Sequence, residues 1–168
     1  MNATKGKYLL LGSNLGDRLD NLQKAVDLLK ESTIEIVRSS SIYESEPWGI
    51  REQPVFLNVV LEIETAFAPD QLLQICLSAE NQMGRQRVRK WGERLIDIDI
   101  LYYDGLILNH EDLKIPHLGI PERRFTLMPL TELTPDFKHP LLHKTQNELL
   151  DACPDELNCF TIAAQLNL

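Results

Sequence analysis

Residues 93–103 have the sequence ERLIDIDILYY, in which acidic and apolar side chains alternate. This alternation predicts a strand that places Asp97 and Asp99 on one face, about 7 Å apart, while the neighbouring isoleucines point to the other face. Two like charges this close repel each other unless something positive lies between them. The pair therefore indicates either the polar outer face of a half-exposed strand or a site for Mg²⁺, which binds one or two carboxylates together with phosphate oxygens.

The sequence around this strand predicts the other elements of an α+β protein. Apolar periodicity predicts further strands at 7–12, 33–45 and 55–64 and helices at 17–30 and 69–83. Asp104 and Gly105 predict a hairpin turn, and shorter helices are expected at 121–132 and 145–152. The order β-α-β-β-α-β is typical of the ferredoxin-like fold, so we expect an antiparallel sheet flanked by helices in three α-β-α layers, within a single domain at 1–168.

The composition is that of an ordinary globular protein, with 168 residues, 43% hydrophobic and 25% charged. A net charge of -8 argues against general nucleic-acid binding, which depends on cationic side chains. No apolar run reaches the ~20 residues of a membrane span, and the N-terminus does not resemble a secretory signal. The three cysteines have no CxxC or metal-ligand spacing. We therefore expect a cytoplasmic protein with no nucleic-acid or membrane partner.

A basic segment directly precedes the paired aspartates. Residues 84–94, GRQRVRKWGER, contain five cations and one acid. Most such clusters are solvated loops, but four of these cations are Arg, whose guanidinium forms bidentate contacts with phosphate. The turn GSNLGD at 12–17 has neither GxGxxG nor GK[ST] spacing, so we expect it to be a tight strand-to-helix connection rather than a phosphate loop.

Two residues of the third strand are candidates for binding a flat heterocycle. Phe56 and Asn58 lie opposite the main apolar stripe, where a ring can stack on a ligand and an amide can hydrogen-bond its edge. Phe125, just after Arg123, is a candidate for the second side of the stack. The alternative is that Phe56 packs in a second layer of core and Asn58 lies at a rim.

Other polar residues also allow two interpretations. Glu80, near the apolar face of the second helix, indicates either a ligand contact or a helix-edge salt bridge. His117 fits either phosphate binding and acid-base work or an ordinary surface role. His139 and His143 lie among proline and leucines, so we expect both to be structural.

The combination of motifs resembles the 6-hydroxymethyl-7,8-dihydropterin pyrophosphokinase family of folate biosynthesis over roughly residues 7–135. The matching segments are YLLLGSNLGDR (8–18), ESEPWG (44–49), QPVFLNVV (53–60), GRQRVRKWGERLIDIDIL (84–101), IPH (115–117) and ERRFTLMPL (122–130). The resemblance implies a monomeric ferredoxin-like enzyme that transfers pyrophosphate from ATP to the hydroxymethyl group of the pterin. It also implies release of AMP and the use of two Mg²⁺ ions.

The resemblance implies a role for each matching residue. The implied catalytic residues are Arg85, Arg94, Asp97 and Asp99, and the two aspartates would bind metal. The implied pterin-binding residues are Ser45, Pro47, Trp48, Phe56, Asn58 and Phe125. The implied ATP-binding residues are Glu80, Arg87, Trp91, Arg94, Ile100, His117 and Arg123.

Two other classes of protein share parts of this pattern. Nucleotidyltransferases also combine a G-S turn with a later D-x-D, but within a shorter stretch than separates Gly12 from Asp97. A non-catalytic binding module, including one for RNA, can use the same fold. The acidic charge and the paired aspartates argue against such a module.

Overall fold

The computed structural model describes residues 4–84 and 92–168, in which a β-α-β-β-α-β core precedes a C-terminal extension. The core comprises β1 (Lys7–Ser13), α1 (Arg18–Glu31), β2 (Glu35–Ser39), β3 (Ile42–Ser45), β4 (Phe56–Glu64), α2 (Pro69–Gln82) and β5 (Asp97–Tyr103). The extension comprises β6 (Leu108–Asn109), β7 (Lys114–Ile115), a 3₁₀ turn (Ile120–Glu122), α3 (Arg124–Leu133), α4 (Gln146–Asp151) and β8 (Cys159–Ile162).

The main sheet is antiparallel, with the order β5-β1-β4-β3-β8 and with β2 also paired to β4. One face packs against α1 and α2 around Leu9, Val59 and Leu61. The other face packs against α3 and α4 around Leu10 and Tyr102. Apolar side chains on both faces of β1 and β4 therefore hold the helices in three layers, and the predicted fold class is confirmed.

The two core helices begin and end as their sequences predict. Asp17 caps α1 by accepting a hydrogen bond from the Asp20 amide. Pro69 occupies the first turn of α2, and Gly84, with a φ of 78°, follows its end. None of the helices within 4–84 and 92–168 has the length and apolarity that a bilayer crossing requires.

The predicted second strand, 33–45, is wrong as one element, because it forms two strands. The break lies at Ser40, whose amide donates to the Val60 carbonyl while its hydroxyl accepts from the Val60 amide. Both β2 and β3 still pair with β4, so the topology is unchanged.

Two further details differ from the sequence prediction. Strand β5 begins at Asp97 rather than at 93, because the backbone of Arg94 is hydrogen-bonded to Asn14 instead of to a strand. The turn at Asp104 forms, but it does not lead into a hairpin on β5, since β6 pairs with β7 in a separate sheet. Strand β8, which pairs with β3, was not predicted.

Candidate active site

The register of three strands builds the floor of the main cavity. Gly12 of β1 is paired with Asn58 of β4 on one side and with Asp97 of β5 on the other. Leu10 is likewise paired with Asp99. Because paired residues share a face of the sheet, the amide and both carboxylates open into the same space.

This cavity lies on the sheet face that α3 covers only in part. Its lining is Leu10, Gly12, Ser45, Glu46, Trp48, Phe56, Asn58, Arg94, Asp97, Asp99, Arg123 and Phe125. Nine of the sequence-predicted site residues therefore come together, contributed by strands β3, β4 and β5, by Trp48 and Arg94 in loops, and by the start of α3.

At one end of the cavity the carboxylates of Asp97 and Asp99 lie close together. Arg94 donates a 2.7 Å hydrogen bond from Nη1 to Asp97 Oδ2. Burial, reinforced by the neighbouring Asp97 carboxylate, raises the pKa of Asp99 above its usual range. Arg94 and Arg123 offset this repulsion only in part. The site therefore has residual affinity for positive charge.

The aromatic end of the cavity contains a stacked cation. The Arg123 guanidinium lies 4.7 Å from the ring centre of Trp48 and 5.9 Å from that of Phe125. Its Nε is buried without a hydrogen-bond partner among the described residues, and burial lowers the pKa of Arg123. The guanidinium is thus held by flat surfaces and retains capacity to donate to a ligand.

Asn58 is fixed at the centre of the cavity. Its side chain is 3% exposed, and its Nδ2 donates a 2.7 Å hydrogen bond to Ser45 Oγ. This bond sets the plane of the amide. A ligand in the cavity would therefore meet a pre-oriented polar edge between aromatic side chains.

A second cavity adjoins the first at Asp99. It is lined by Leu73, Ile98, Asp99, Ile100, Glu111, Asp112, Leu113, Lys114, His117 and Leu118. His117 Nε2 lies 3.8 Å from Asp99 Oδ2, while its Nδ1 accepts the Gly119 amide. Burial lowers the pKa of His117 to about 4, so the imidazole is neutral at pH 7. The predicted residues Ile100 and His117 belong to this cavity.

Glu80 and Pro47 lie apart from the lining of these two cavities. Glu80 is 2% exposed, and its Oε1 accepts the Ile98 amide at 2.8 Å. Because β5 is an edge strand, this bond satisfies an amide that faces away from the sheet. Pro47 lines a groove against residues 154–157, beside the main cavity. The predicted residues Arg85, Arg87 and Trp91 fall outside the described residues.

Four residues around the cavity were not selected from the sequence. Leu10, Gly12 and Glu46 line it. Asn14 supports it from below, because its side chain donates to Gln53 and Pro54 and accepts from the Arg94 amide. The pairing of Gly12 with Asn58 and Asp97 identifies the glycine once strand order is known, but strand order is not contained in the local sequence.

Known proteins with similar sequences fit this architecture. The sequence profile of 7,8-dihydro-6-hydroxymethylpterin-pyrophosphokinase matches residues 8–135. A 2-amino-4-hydroxy-6-hydroxymethyldihydropteridine pyrophosphokinase of Methylorubrum extorquens is 45% identical over 130 residues, which are 77% of this chain and 82% of that protein. The folic acid synthesis protein fol1 of Schizosaccharomyces pombe is 43% identical over 92% of this chain, which spans only 21% of fol1.

A solved structure shares the fold. The crystal structure of Plasmodium falciparum HPPK-DHPS aligns with a TM-score of 0.68 and 16% identity, over 88% of this chain and 44% of that one. The chain thus spans under half the length of that protein and about a fifth of the length of fol1. The profile match over most of the chain nevertheless decides the family: this chain belongs to the 7,8-dihydro-6-hydroxymethylpterin-pyrophosphokinases.

Proposed function

We propose that this chain transfers the pyrophosphoryl group of ATP to the hydroxymethyl group of 6-hydroxymethyl-7,8-dihydropterin and releases AMP, as a step of tetrahydrofolate biosynthesis. One observation carries the proposal. A single cavity joins an aromatic slot, at Phe56 and Phe125, to the carboxylates of Asp97 and Asp99. A flat pterin and a phosphate chain are the two chemical parts that such a cavity would hold together.

The aromatic end suits the pterin ring. Phe56, Phe125 and Trp48 offer faces for stacking, and the Asn58 amide offers both a donor and an acceptor to the polar edge of the ring. The bond from Asn58 to Ser45 fixes that amide before substrate arrives. Pro47 is proposed to shape the adjoining loop. Selectivity for the pterin would follow, because an analogue without this polar edge leaves a buried amide unpaired.

The carboxylate end suits Mg²⁺. Within the described residues no three His, Cys, Asp or Glu side chains form a metal-binding cluster, so a cation here would take two protein carboxylates and further oxygens from ATP and water. We propose two ions bound by Asp97 and Asp99. When bound, such ions neutralise charge on the phosphate oxygens and orient the β-phosphorus.

The cationic residues would complete the transfer site. The hydroxymethyl oxygen would attack the β-phosphorus and lose its proton to water. The bond between that phosphorus and the oxygen of the α-phosphate would break, and AMP would leave with that oxygen. Arg94, which is hydrogen-bonded to Asp97, would stabilise the charge that develops on the transferred group. Arg85 is proposed to assist it. In-line alignment and charge neutralisation would supply most of the rate acceleration.

The second cavity suits the nucleoside of ATP. Its apolar side chains include Leu73 and Ile100, and neutral His117 lies at the boundary with the carboxylates. We propose that Arg87, Trp91 and Arg123 also contact the nucleotide and that Glu80 acts on this side by holding β5. We further propose that the whole chain, 1–168, is a single domain that acts as a monomer in the cytoplasm.

Product identification tests the proposal. The protein is mixed with ATP, Mg²⁺ and 6-hydroxymethyl-7,8-dihydropterin, and the nucleotide product is identified by chromatography. AMP that forms only in the presence of both pterin and Mg²⁺, and that disappears with EDTA, is the expected result. Free pyrophosphate would indicate attack at the α-phosphorus and a nucleotidyltransferase. ATP binding without turnover would indicate a binding module.

A further inference from the structure

The segment 155–162, here called the C-terminal strap, lies beyond the residues that the family profile matches, 8–135. It contacts two walls of the main cavity. One wall is the end of β3 with the residue that follows it, and the other is the start of α3. Asp155 contacts the start of α3, and Asn158, three residues later, contacts Glu46.

The strap holds the first wall by main-chain pairing. Strand β8 adds to β3 with Ser45 opposite Cys159. Beyond the strand, the Glu46 amide donates to the Asn158 carbonyl, and the Asn158 amide donates a 2.7 Å hydrogen bond to Glu46 Oε2. Ser45 and Glu46 both line the cavity, so the strap supports that wall directly.

The strap holds the second wall through one carboxylate. Helix α3 begins at Arg124, and the residue at its N-cap position, Arg123, provides no side-chain hydrogen bond to the first turn. Asp155 substitutes for the missing cap: its Oδ2 accepts the Arg124 amide at 3.0 Å, and its Oδ1 accepts the Leu157 amide at 2.9 Å. A carboxylate at a helix N-terminus satisfies an orphan donor and interacts favourably with the helix dipole.

The capped amide directly precedes Phe125, which lines the cavity. Phe125 is half-buried and is only partly enclosed by the second core cluster, against which it packs. Its ring direction therefore depends on how the first turn of α3 is fixed. Arg123, by contrast, is already held by stacking on Trp48, 4.7 Å away.

We propose that Asp155 is a positioning residue for the pterin, acting from the C-terminal strap through the first turn of α3 on Phe125. The inference rests on the proposed function, since it assigns Phe125 to the pterin. It gives the C-terminal segment a role in substrate recognition. It also predicts that loss of the cap raises the KM for the pterin and leaves the KM for ATP nearly unchanged.

The test compares three variants by steady-state kinetics with each substrate varied in turn. Asp155→Ala removes the cap and is expected to raise the KM for the pterin about fivefold, in line with the usual strength of a helix cap, while kcat and the KM for ATP stay within about twofold. Asp155→Asn retains one oxygen acceptor for the Arg124 amide but places a donor against the Leu157 amide, so it is expected to restore the pterin affinity only in part. Glu156→Ala, an exposed acid of the same strap, is the matched control and is expected to behave as wild type.

Each outcome decides the proposal. If Asp155→Ala matches Glu156→Ala, or if it impairs both substrates and kcat equally, Asp155 has only a structural role and the proposal is wrong. If Asp155→Ala is unfolded at the assay temperature, Asp155→Ser, whose shorter side chain cannot bridge both amides, must show the same selective rise. A wild-type protein without turnover would instead contradict the proposed function.

Discussion

Gly12 is the position where one added methyl group should separate pterin binding from stability. The glycine lies between Asn58 and Asp97 on the cavity floor. A Cβ at this position would lie 3.0 Å from Asn58 Oδ1 and 3.8 Å from the Phe56 ring, so the amide would have to move by a few tenths of an ångström. Asn58 is buried and bonded to Ser45, so it cannot move without distorting that bond.

The size of the effect follows from this one hydrogen bond. Misaligning a buried amide should cost about 1–2 kcal/mol of pterin binding, which corresponds to a roughly 5- to 30-fold rise in Kd. The free energy of unfolding should change by less, because Ala is better than Gly in a strand by about 0.5–1 kcal/mol, which offsets part of the crowding. Gly12→Ala should thus weaken pterin binding while stability stays near that of wild type.

The assay combines pterin titration by fluorescence with thermal unfolding, using Gly105→Ala as the matched control. Gly105 lies in the turn after β5, where the atoms nearest to an added Cβ would belong to Thr4, at 3.2 Å and beyond, away from the cavity lining. This control should bind pterin normally. Wild-type pterin affinity in Gly12→Ala, or a loss of affinity fully explained by unfolding, would refute the assignment of the Asn58 amide to the pterin.

Three other variants test separate parts of the molecule. Asp97→Asn should lower kcat at least about a hundredfold, because it removes a carboxylate proposed to hold Mg²⁺ against the phosphates. Glu80→Ala should lower the free energy of unfolding by about 1–3 kcal/mol, measured by urea titration, because the Ile98 amide loses its acceptor. Burial lowers the pKa of His139 to about 4 from the ordinary 6.5, so the unfolded chain binds protons first as pH falls from 6.5 towards 4, and stability declines in that window. His139→Gln should make that decline shallower.

The controls for these variants are specific. Asp151→Asn changes an exposed acid at the end of α4 and should leave kcat unchanged. If kcat fell as much in Asp151→Asn as in Asp97→Asn, the effect at Asp97 would not be specific to the cavity. Glu80→Gln retains an oxygen acceptor and should recover most of the stability, whereas a loss equal to that of Ala would contradict the hydrogen-bond account. His117 titrates in the same window, so the dependence of stability on pH should flatten only in part in His139→Gln. An unchanged dependence would show that His139 does not cause the decline.

The sequence predicted the strand faces well because alternation is a local property. Asp97 and Asp99 share a face, and the isoleucines beside them enter the core, as expected. The break at Ser40 was not predictable from propensity, because it depends on a hydrogen bond to Val60, a residue on another strand. The same limitation applies to β8, whose four residues become a strand only by pairing with β3, more than a hundred residues earlier.

The residues of the candidate site show the same difference between what a local pattern predicts and what depends on contacts between elements. The alternation of their own strand predicted that Phe56 and Asn58 share a face, and both line the main cavity. His139 was correctly expected to be structural, since its Nδ1 accepts two backbone amides. Glu80 was left between a ligand contact and a salt bridge, and its hydrogen bond to the Ile98 amide is neither. That bond joins a helix to an edge strand, a contact that periodicity within either element does not reveal.

The turn GSNLGD shows how the structure decides between two interpretations of a motif. A phosphate loop needs backbone and side-chain donors that face a ligand. Here the Asn14 amide is directed at protein groups instead, because it donates to Gln53 and Pro54 and accepts from Arg94. The turn therefore ties the loop before β4 to the loop before β5. These loops lead into Phe56 and Asp97, which line the cavity. Asn14 therefore shapes the cavity by holding the two loops, and its amide is already used in doing so.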